Sequence, residues 1–199
     1  MPENTPWVVL GLGNPGPEYA NTRHNVGYLT VDVLATRMGE SLKSHRSRTH
    51  IADGRLGMLP GGIPGPRVIL ARSDSYMNTT GGPVGRLMSF LGIPPQKLLV
   101  IHDDLDLQAH DLRLKFSGGE GGHNGLKSLS QNLGTKDYHR LRIGIGRPPG
   151  RQNPADYVLS AFPVKDRPDW EVTFEQAADA VEDVVLSGFL AAQQSLHSR

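Results

Sequence analysis

Apolar positions along this chain fall into two rhythms, short unbroken runs and a helical spacing, and the two alternate. Trp7–Leu12 is a short β-rich run closed by glycine, which predicts a buried strand. Between Asn25 and Met38, the residues Val26, Leu29, Val33, Leu34 and Met38 recur at helical spacing, and Gly39 ends the helix. A strand pair is expected around His50–Leu59. Pro60 to Pro66 carries Pro and Gly at a density that suits neither helix nor strand, so it predicts a surface loop. Arg67–Ala71 predicts a strand, and Pro83–Leu91 a helix stopped by Gly92 and Pro94. Leu98–His102 is apolar and β-branched, as a central strand should be. Leu112–Phe116 alternates apolar and basic residues, which predicts a half-exposed strand. Asn124–Leu133 predicts a helix after a glycine-rich loop, Arg140–Ile145 a strand, and Glu171–Ser187 a helix with an acidic face.

Strands alternating with helices predict the α/β class: one domain over residues 1–199, with a mixed, mostly parallel central sheet flanked by helices. The Pro/Gly-rich stretch Arg147–Pro154 offers a hinge ahead of the C-terminal helix, about 168–190. A lid is one role open to that helix; a plain long connection is the other.

Composition removes several chemistries. With no cysteine there is no disulfide framework, thiolate zinc site or Cys nucleophile. The longest apolar runs, such as Leu98-Leu99-Val100-Ile101, are too short to span a bilayer. Met1-Pro2-Glu3-Asn4-Thr5-Pro6 has no basic region before an apolar stretch, so no signal peptide is expected and the cytoplasm is the default compartment. Net charge is +1, but its distribution is uneven. Residues 112–151 carry 8 basic and 2 acidic side chains, and residues 152–199 carry 3 basic and 8 acidic. The basic block points to a polyanion such as nucleic acid. The plainer alternative is a solvated face paired with the acidic C-terminal segment.

Five segments carry candidate chemistry. Gly11-Leu12-Gly13-Asn14-Pro15-Gly16 matches a dinucleotide-binding glycine pattern after a strand, but Pro15 and Pro17 interrupt the turn and the long helix starts only near Asn25. Thr22-Arg23-His24-Asn25 puts an imidazole at the mouth of a helix, well placed for proton transfer near neutral pH. His102-Asp103-Asp104-Leu105-Asp106 puts three carboxylates just past a central strand, where one can orient an imidazole or several can hold Mg²⁺. Gly118 to Gly125, with His123 and Asn124 embedded, exposes backbone N–H groups ahead of a helix and so suits an anion or a carbonyl oxygen. Tyr76-Met77-Asn78 offers a neutral amide.

In this order, these segments, with Tyr19 and Arg140-Leu141-Arg142-Ile143-Gly144-Ile145-Gly146, resemble the bacterial-type peptidyl-tRNA hydrolases. The likeness runs from about residue 7 to about 190. It implies an esterase that frees tRNA from a peptide joined to its terminal ribose, with peptidyl-tRNA as partner, no cofactor, no metal, no membrane and a monomeric chain. By motif, His24 falls on the family's catalytic base and Asp103 on its orienting carboxylate. Asn14 falls on the residue linked to preferring N-blocked over free aminoacyl-tRNA. Tyr19, Tyr76, Asn78 and Asn124 fall on substrate-contacting positions, and Arg113, Lys115 and Arg142 on basic positions associated with tRNA phosphates. Three departures are visible: Asp104 where many members have Glu, Glu120 within the glycine run, and Ser73-Asp74-Ser75 in place of a common Pro-Thr-Thr.

Two other classes compete. A nucleotide-binding oxidoreductase rests on the first glycine pattern, and a non-catalytic tRNA- or RNA-binding module on the basic block and the second glycine loop. The hydrolase requires His24 and Asp103 to meet, although 79 positions separate them.

Overall fold

A computed structural model describes residues 4–199; Met1-Pro2-Glu3 of the segment read for a targeting signal lie outside it. Seven strands form one mixed sheet: β1 (Trp7–Gly11), β2 (Lys43–His45), β3 (Thr49–Arg55), β6 (Arg67–Ser73), β7 (Leu98–Asp104), β8 (Leu112–Phe116) and β9 (His139–Gly144). Two short strands, β4 (Met58–Leu59) and β5 (Ile63–Pro64), form a separate hairpin. The helices are α1 (Val26–Met38), α2 (Gly81–Leu91), α3 (Asn124–Leu133), α4 (Pro154–Val158), α5 (Arg167–Ser187) and α6 (Phe189–His197). The sheet order is β2-β3-β6-β1-β7-β9-β8, with parallel pairing at its centre (β6, β1, β7, β9) and antiparallel pairing at both edges.

The apolar runs follow from burial on both faces. In β1, Val9 enters the core shared with α1 and α5, whereas Val8 and Leu10 enter the core shared with α2 and α3. In β7, Leu99 and Ile101 face the first core and Leu98 and Val100 the second. A strand covered on both sides has no solvent face for polar residues. Helices α1 and α2 stop where expected, because Gly39 and Gly92 take left-handed backbone that side chains disfavour.

Several expected elements take a different form. The strand pair near His50–Leu59 is not one hairpin: β3 pairs with β2 and β6, and Met58–Leu59 pairs with Ile63–Pro64 inside the stretch expected to be loop. The C-terminal helix is two helices broken at Gly188. Helix α5 is no loose flap, since Trp170, Phe174, Ala177, Ala178, Val181 and Val184 are buried in the core. Its acidic face pairs with Arg37 of α1 through Glu175, Asp179 and Glu182. The basic block pairs elsewhere, Arg142 with Asp104, Arg147 with Asp106 and Lys136 with Glu120.

The first glycine pattern has a packing cause. A Cβ on Gly11 would lie 2.3 Å from the Gly27 carbonyl oxygen, and one on Gly13 would lie 2.7 Å from the Tyr28 ring. Gly27 in turn sits against Leu12 and Ile101, where a Cβ would meet backbone at 2.4–2.6 Å. The start of α1 therefore lies directly on the ends of β1 and β7. Gly27→Ala is expected to destabilise the protein by about 1–3 kcal/mol, because the obstructing atoms are backbone. Urea unfolding measures this, and an unchanged midpoint would show that the two segments are not in close contact.

Candidate active site

The last residues of β7 and the turn before α1 meet at one carboxylate. Asp103, with a side chain only 2% exposed, is approached by His24 Nδ1 at 2.8 and 2.9 Å from its two oxygens. A third contact comes from His123, whose Nε2 lies 2.9 Å from Asp103 Oδ1. Backbone bonds settle the His123 tautomer. Its Nδ1 accepts the N–H groups of Gly125 at 3.1 Å and Leu126 at 3.4 Å, capping α3, so the proton sits on Nε2 and is donated to Asp103.

Burial works to raise the Asp103 pKa, but the facing charges and hydrogen bonds of His24 and His123 outweigh it and hold the carboxyl well below the usual range. An ionised carboxylate only accepts, so His24 carries its proton on Nδ1. Its Nε2 keeps the lone pair and makes no bond to any described residue. Burial also works against a charged His24, yet the charge of Asp103 and its hydrogen bond prevail and raise the imidazole above its ordinary 6.5.

His24, Asp103 and His123 present ligand atoms within 4.8 Å of one another, near enough for a single metal ion. The hydrogen bonds assign them another use. With its Nδ1 lone pair taken by the helix cap, His123 must keep a proton on Nε2, and a protonated nitrogen is not a ligand. His102 makes no bond to the carboxylate; its Nδ1 donates to the Asp103 carbonyl at 2.8 Å. Burial, and after it the neighbouring His123, push its pKa down to about 3, so it is a neutral structural group.

The cleft in front of His24 holds about 180 Å³. Gly121, Gly122, His123 and Asn124 line one side, and Pro154, Ala155 and Val158 of α4 another. The backbone N–H groups of Gly121, Gly122 and Asn124 have no partner among the described residues. Buried Arg140 ties the loop down by donating to the carbonyls of Gly119 at 2.6 Å and Gly118 at 2.8 Å. The element bordering the cleft is thus α4, not the longer helix considered for a lid. Arg23 tethers α4 by stacking 4.3 Å from the Tyr157 ring and bonding Ser160 Oγ at 2.6 Å.

Of the other expected residues, Asn124 lines this cleft, whereas Asn14, Tyr19, Tyr76, Asn78, Arg113, Lys115 and Arg142 lie outside its lining. Asn14 is buried, and its side-chain oxygen accepts the Met77 N–H at 2.7 Å, which pins the Tyr76–Asn78 turn. Asn25, a residue the motif reading passed over, bonds the Asn14 backbone at both its N–H and its carbonyl. Asn14 lines a neighbouring cavity with Pro15, Tyr28 and Asp74. Tyr19 and Tyr76 meet edge to face at 6.2 Å, and Asn78 and Asn124 are exposed. The serines of the unusual Ser73-Asp74-Ser75 segment brace that turn, Ser75 N–H on Ser73 Oγ at 3.0 Å and Ser75 Oγ on the Thr79 carbonyl at 3.2 Å. Of the basic positions, Arg142 is committed to Asp104 at 2.8 Å, whereas Arg113 and Lys115 make no ion pair among the described residues.

Comparison with known proteins decides the family. The peptidyl-tRNA hydrolase family model matches residues 8–199. The chain belongs to the peptidyl-tRNA hydrolase family. It is 54% identical over 192 residues to peptidyl-tRNA hydrolase of Kineococcus radiotolerans, covering 96% of this chain and 97% of that one. It is 52% identical to the Nocardia farcinica peptidyl-tRNA hydrolase, covering 98% of each. The crystal structure of peptidyl-tRNA hydrolase from Acinetobacter baumannii superposes with a TM-score of 0.84 at 32% identity, over 97% of this chain and 95% of that chain. Membership of the peptidyl-tRNA hydrolases favours the hydrolase over a non-catalytic RNA-binding module and over an oxidoreductase. No helix among the described residues is long and apolar enough to cross a membrane.

The geometry fixes a pH dependence. As a general base His24 would have to be neutral, and kcat/KM would then fall on the acid side with a midpoint above 6.5. In Asp103→Asn the countercharge is gone and burial remains, so the midpoint should move below 6.5. An acid limb unmoved by that change would mean that another group titrates. For stability, the His24 contribution is present below pH 6.5 and is lost as pH rises through the raised folded-state value. The Asp103 contribution is present above pH 3.8 and is lost as pH falls through its depressed value.

Proposed function

We propose that this chain hydrolyses the ester between a peptide, or an N-blocked aminoacyl group, and the terminal ribose of tRNA, with His24 as general base. The observation that carries this reading is the Nδ1–H bond from His24 to Asp103, which leaves Nε2 as a free acceptor at the cleft. A water beside Nε2 gives up a proton as its oxygen attacks the ester carbonyl. Asp103 stabilises the resulting imidazolium, and the proton then passes to the departing ribose oxygen. The free N–H groups of Gly121, Gly122 and Asn124 are suited to the developing oxyanion, and the Asn78 and Asn124 amides to the water and substrate. The chain needs no cofactor for these steps and acts as a monomer in the cytoplasm.

His24→Ala is expected to lower kcat about 10²–10⁴-fold while tRNA binding persists. Release of tRNA from N-acetylated aminoacyl-tRNA measures the loss, and near-normal turnover would remove His24 from the mechanism.

Discrimination between blocked and free aminoacyl groups falls to Asn14 in this reading. Its oxygen is occupied by Met77, so its NH₂ is the group left for a peptide carbonyl. A free aminoacyl ester offers a cationic amine there instead, facing a donor. Asn14→Asp replaces that donor with an acceptor and is expected to narrow the preference for the N-acetylated over the free form. An unchanged ratio of kcat/KM values would count against the role. Tyr19 and Tyr76 supply apolar surface to the substrate. Arg113 and Lys115 have free charge for tRNA phosphates, whereas Arg142 would have to share its guanidinium with Asp104.

A further inference from the structure

A groove of about 750 Å³ lies outside the cleft, between the β2–β3 turn and the outer faces of α2 and α3. Its charge is one-sided. Arg46 and Arg86 line it and no carboxylate does. Lys43 and Arg48 are exposed on the same β2–β3 hairpin. None of these four cations forms an ion pair among the described residues, in contrast to Arg37, Arg67, Arg72 and Arg142.

An aromatic ring stands in the same place. Phe90 is 52% exposed. The Arg46 guanidinium lies 4.2 Å from its ring centre, and the His45 ring meets it edge-on at 4.9 Å. These groups are held in position without a ligand. Ser47 N–H donates to His45 Nδ1 at 3.1 Å, and Arg86 donates to the Ser47 carbonyl at 3.3 Å.

The floor is bare for no packing reason. Gly81 is forced to be glycine, since a Cβ would lie 2.1 Å from the Ser128 carbonyl oxygen where α2 crosses α3. Gly82 and Gly85 are not. A Cβ there would find its nearest atoms at 3.7 and 3.8 Å, and neither residue has left-handed backbone. Glycine is a poor helix former, and these two both face the groove. Uncovered backbone lets a ligand approach closely.

We propose that this groove is an RNA-contact surface, with phosphate oxygens on Arg46 and Arg86 and a base stacked at Phe90. The proposal rests on the reading of tRNA as substrate and extends it to cations outside the basic block of residues 112–151. Of the helices that frame the groove, α3 begins at the cleft with Asn124, and α2 packs against it where Gly81 meets Ser128. Asn132, at the groove, is eight residues along α3 from Asn124, about 12 Å at the helical rise. A strand leaving the ester at His24 meets the groove within a few nucleotides. An acidic peptide would suit the charges equally, but the guanidinium stacked on an exposed ring fits a planar base.

The test compares two substrates, N-acetyl-aminoacyl-tRNA and the N-acetyl-aminoacyl ester of adenosine, across a range of salt concentrations. The proteins are the unaltered chain, Arg46→Gln/Arg86→Gln and Phe90→Ala. All substituted residues are exposed, and matching melting temperatures check that the fold is kept. Both variants should raise KM for the full tRNA substrate, by about ten-fold for Phe90→Ala. Both should leave kcat unchanged, and with it all kinetics on the adenosine ester. The double arginine variant should also make the log–log salt dependence shallower by about 1.4, for two lost phosphate contacts, whereas Phe90→Ala should not. Unchanged KM and salt slope on full tRNA, with the unaltered chain still cleaving it, would overturn the groove and leave the hydrolase intact. Equal losses on both substrates would mean a distorted cleft and also overturn it. Competition by polyaspartate as strong as by single-stranded RNA would assign the groove to acidic peptides instead. Failure of the unaltered chain to cleave either ester would be a failure of the hydrolase reading itself, and the groove proposal would fall with it.

Discussion

An ionised carboxylate whose side chain is 2% exposed has lost most of its hydration, and only fixed donors can replace what water supplied. At Asp103 those donors are two imidazoles from separate parts of the chain, His24 before α1 and His123 at the head of α3. Each bond has a second consequence. The bond to His24 fixes a tautomer and raises a pKa, so it sets the chemistry. The bond to His123 joins the sheet to a helix cap, so it sets the position of the glycine loop that runs into that helix. A buried charge paired in this way adds less net stability than its contacts alone, because desolvation offsets much of the attraction. What it imposes is geometry: three segments must converge before the charge is tolerable.

The sheet makes that convergence possible. Parallel strands β1 and β7 end side by side, and the chain leaving each end builds one wall of the site. Close approach is the enabling condition. Gly11 and Gly27 let α1 start against the strand ends, which brings the turn carrying His24 to the end of β7. Asn14 and Asn25 perform the same task with polar groups. Asn25 holds the Asn14 backbone, and Asn14 holds Met77, so the turn bearing Asn78 is registered to the turn bearing His24. Substitution at Asn14 therefore acts on the position of the turn that carries Asn78.

Much of this was legible in the sequence, for identifiable reasons. Strands buried on both faces leave unbroken apolar runs, so β1, β6 and β7 announced themselves. The order of motifs around His24, Asp103 and His123-Asn124 carried the family. Pairings that depend on distant partners were not legible. Arg142 looked like a free cation because nothing local shows that it reaches Asp104. The C-terminal helix looked able to hinge because a Pro/Gly-rich stretch precedes it and one face is acidic, yet Ala177, Ala178 and Ala180 are small and buried in the core. The partners of His123 were not legible, since a helix cap and a bond to a carboxylate 20 positions earlier leave no local pattern.

Charge is where the linear sequence misled most. Blocks counted along the chain suggested a basic segment answered by an acidic one. Folding sorts them by the two faces of the sheet instead. Helix α5 brings six carboxylates and one arginine to the face covered by α1, and part of that charge is neutralised by Arg37. Helices α2 and α3 cover the other face and contain no acidic residue at all. A molecule with net charge +1 thus presents a strongly polarised surface. An approaching polyanion is repelled from one face and drawn to the other, and such a field orients encounters even where no single contact is strong. One helix on that face, α3, opens at Asn124, which lines the cleft with His24 and Asp103. The face that attracts a polyanion is therefore the face whose helix α3 reaches the cleft.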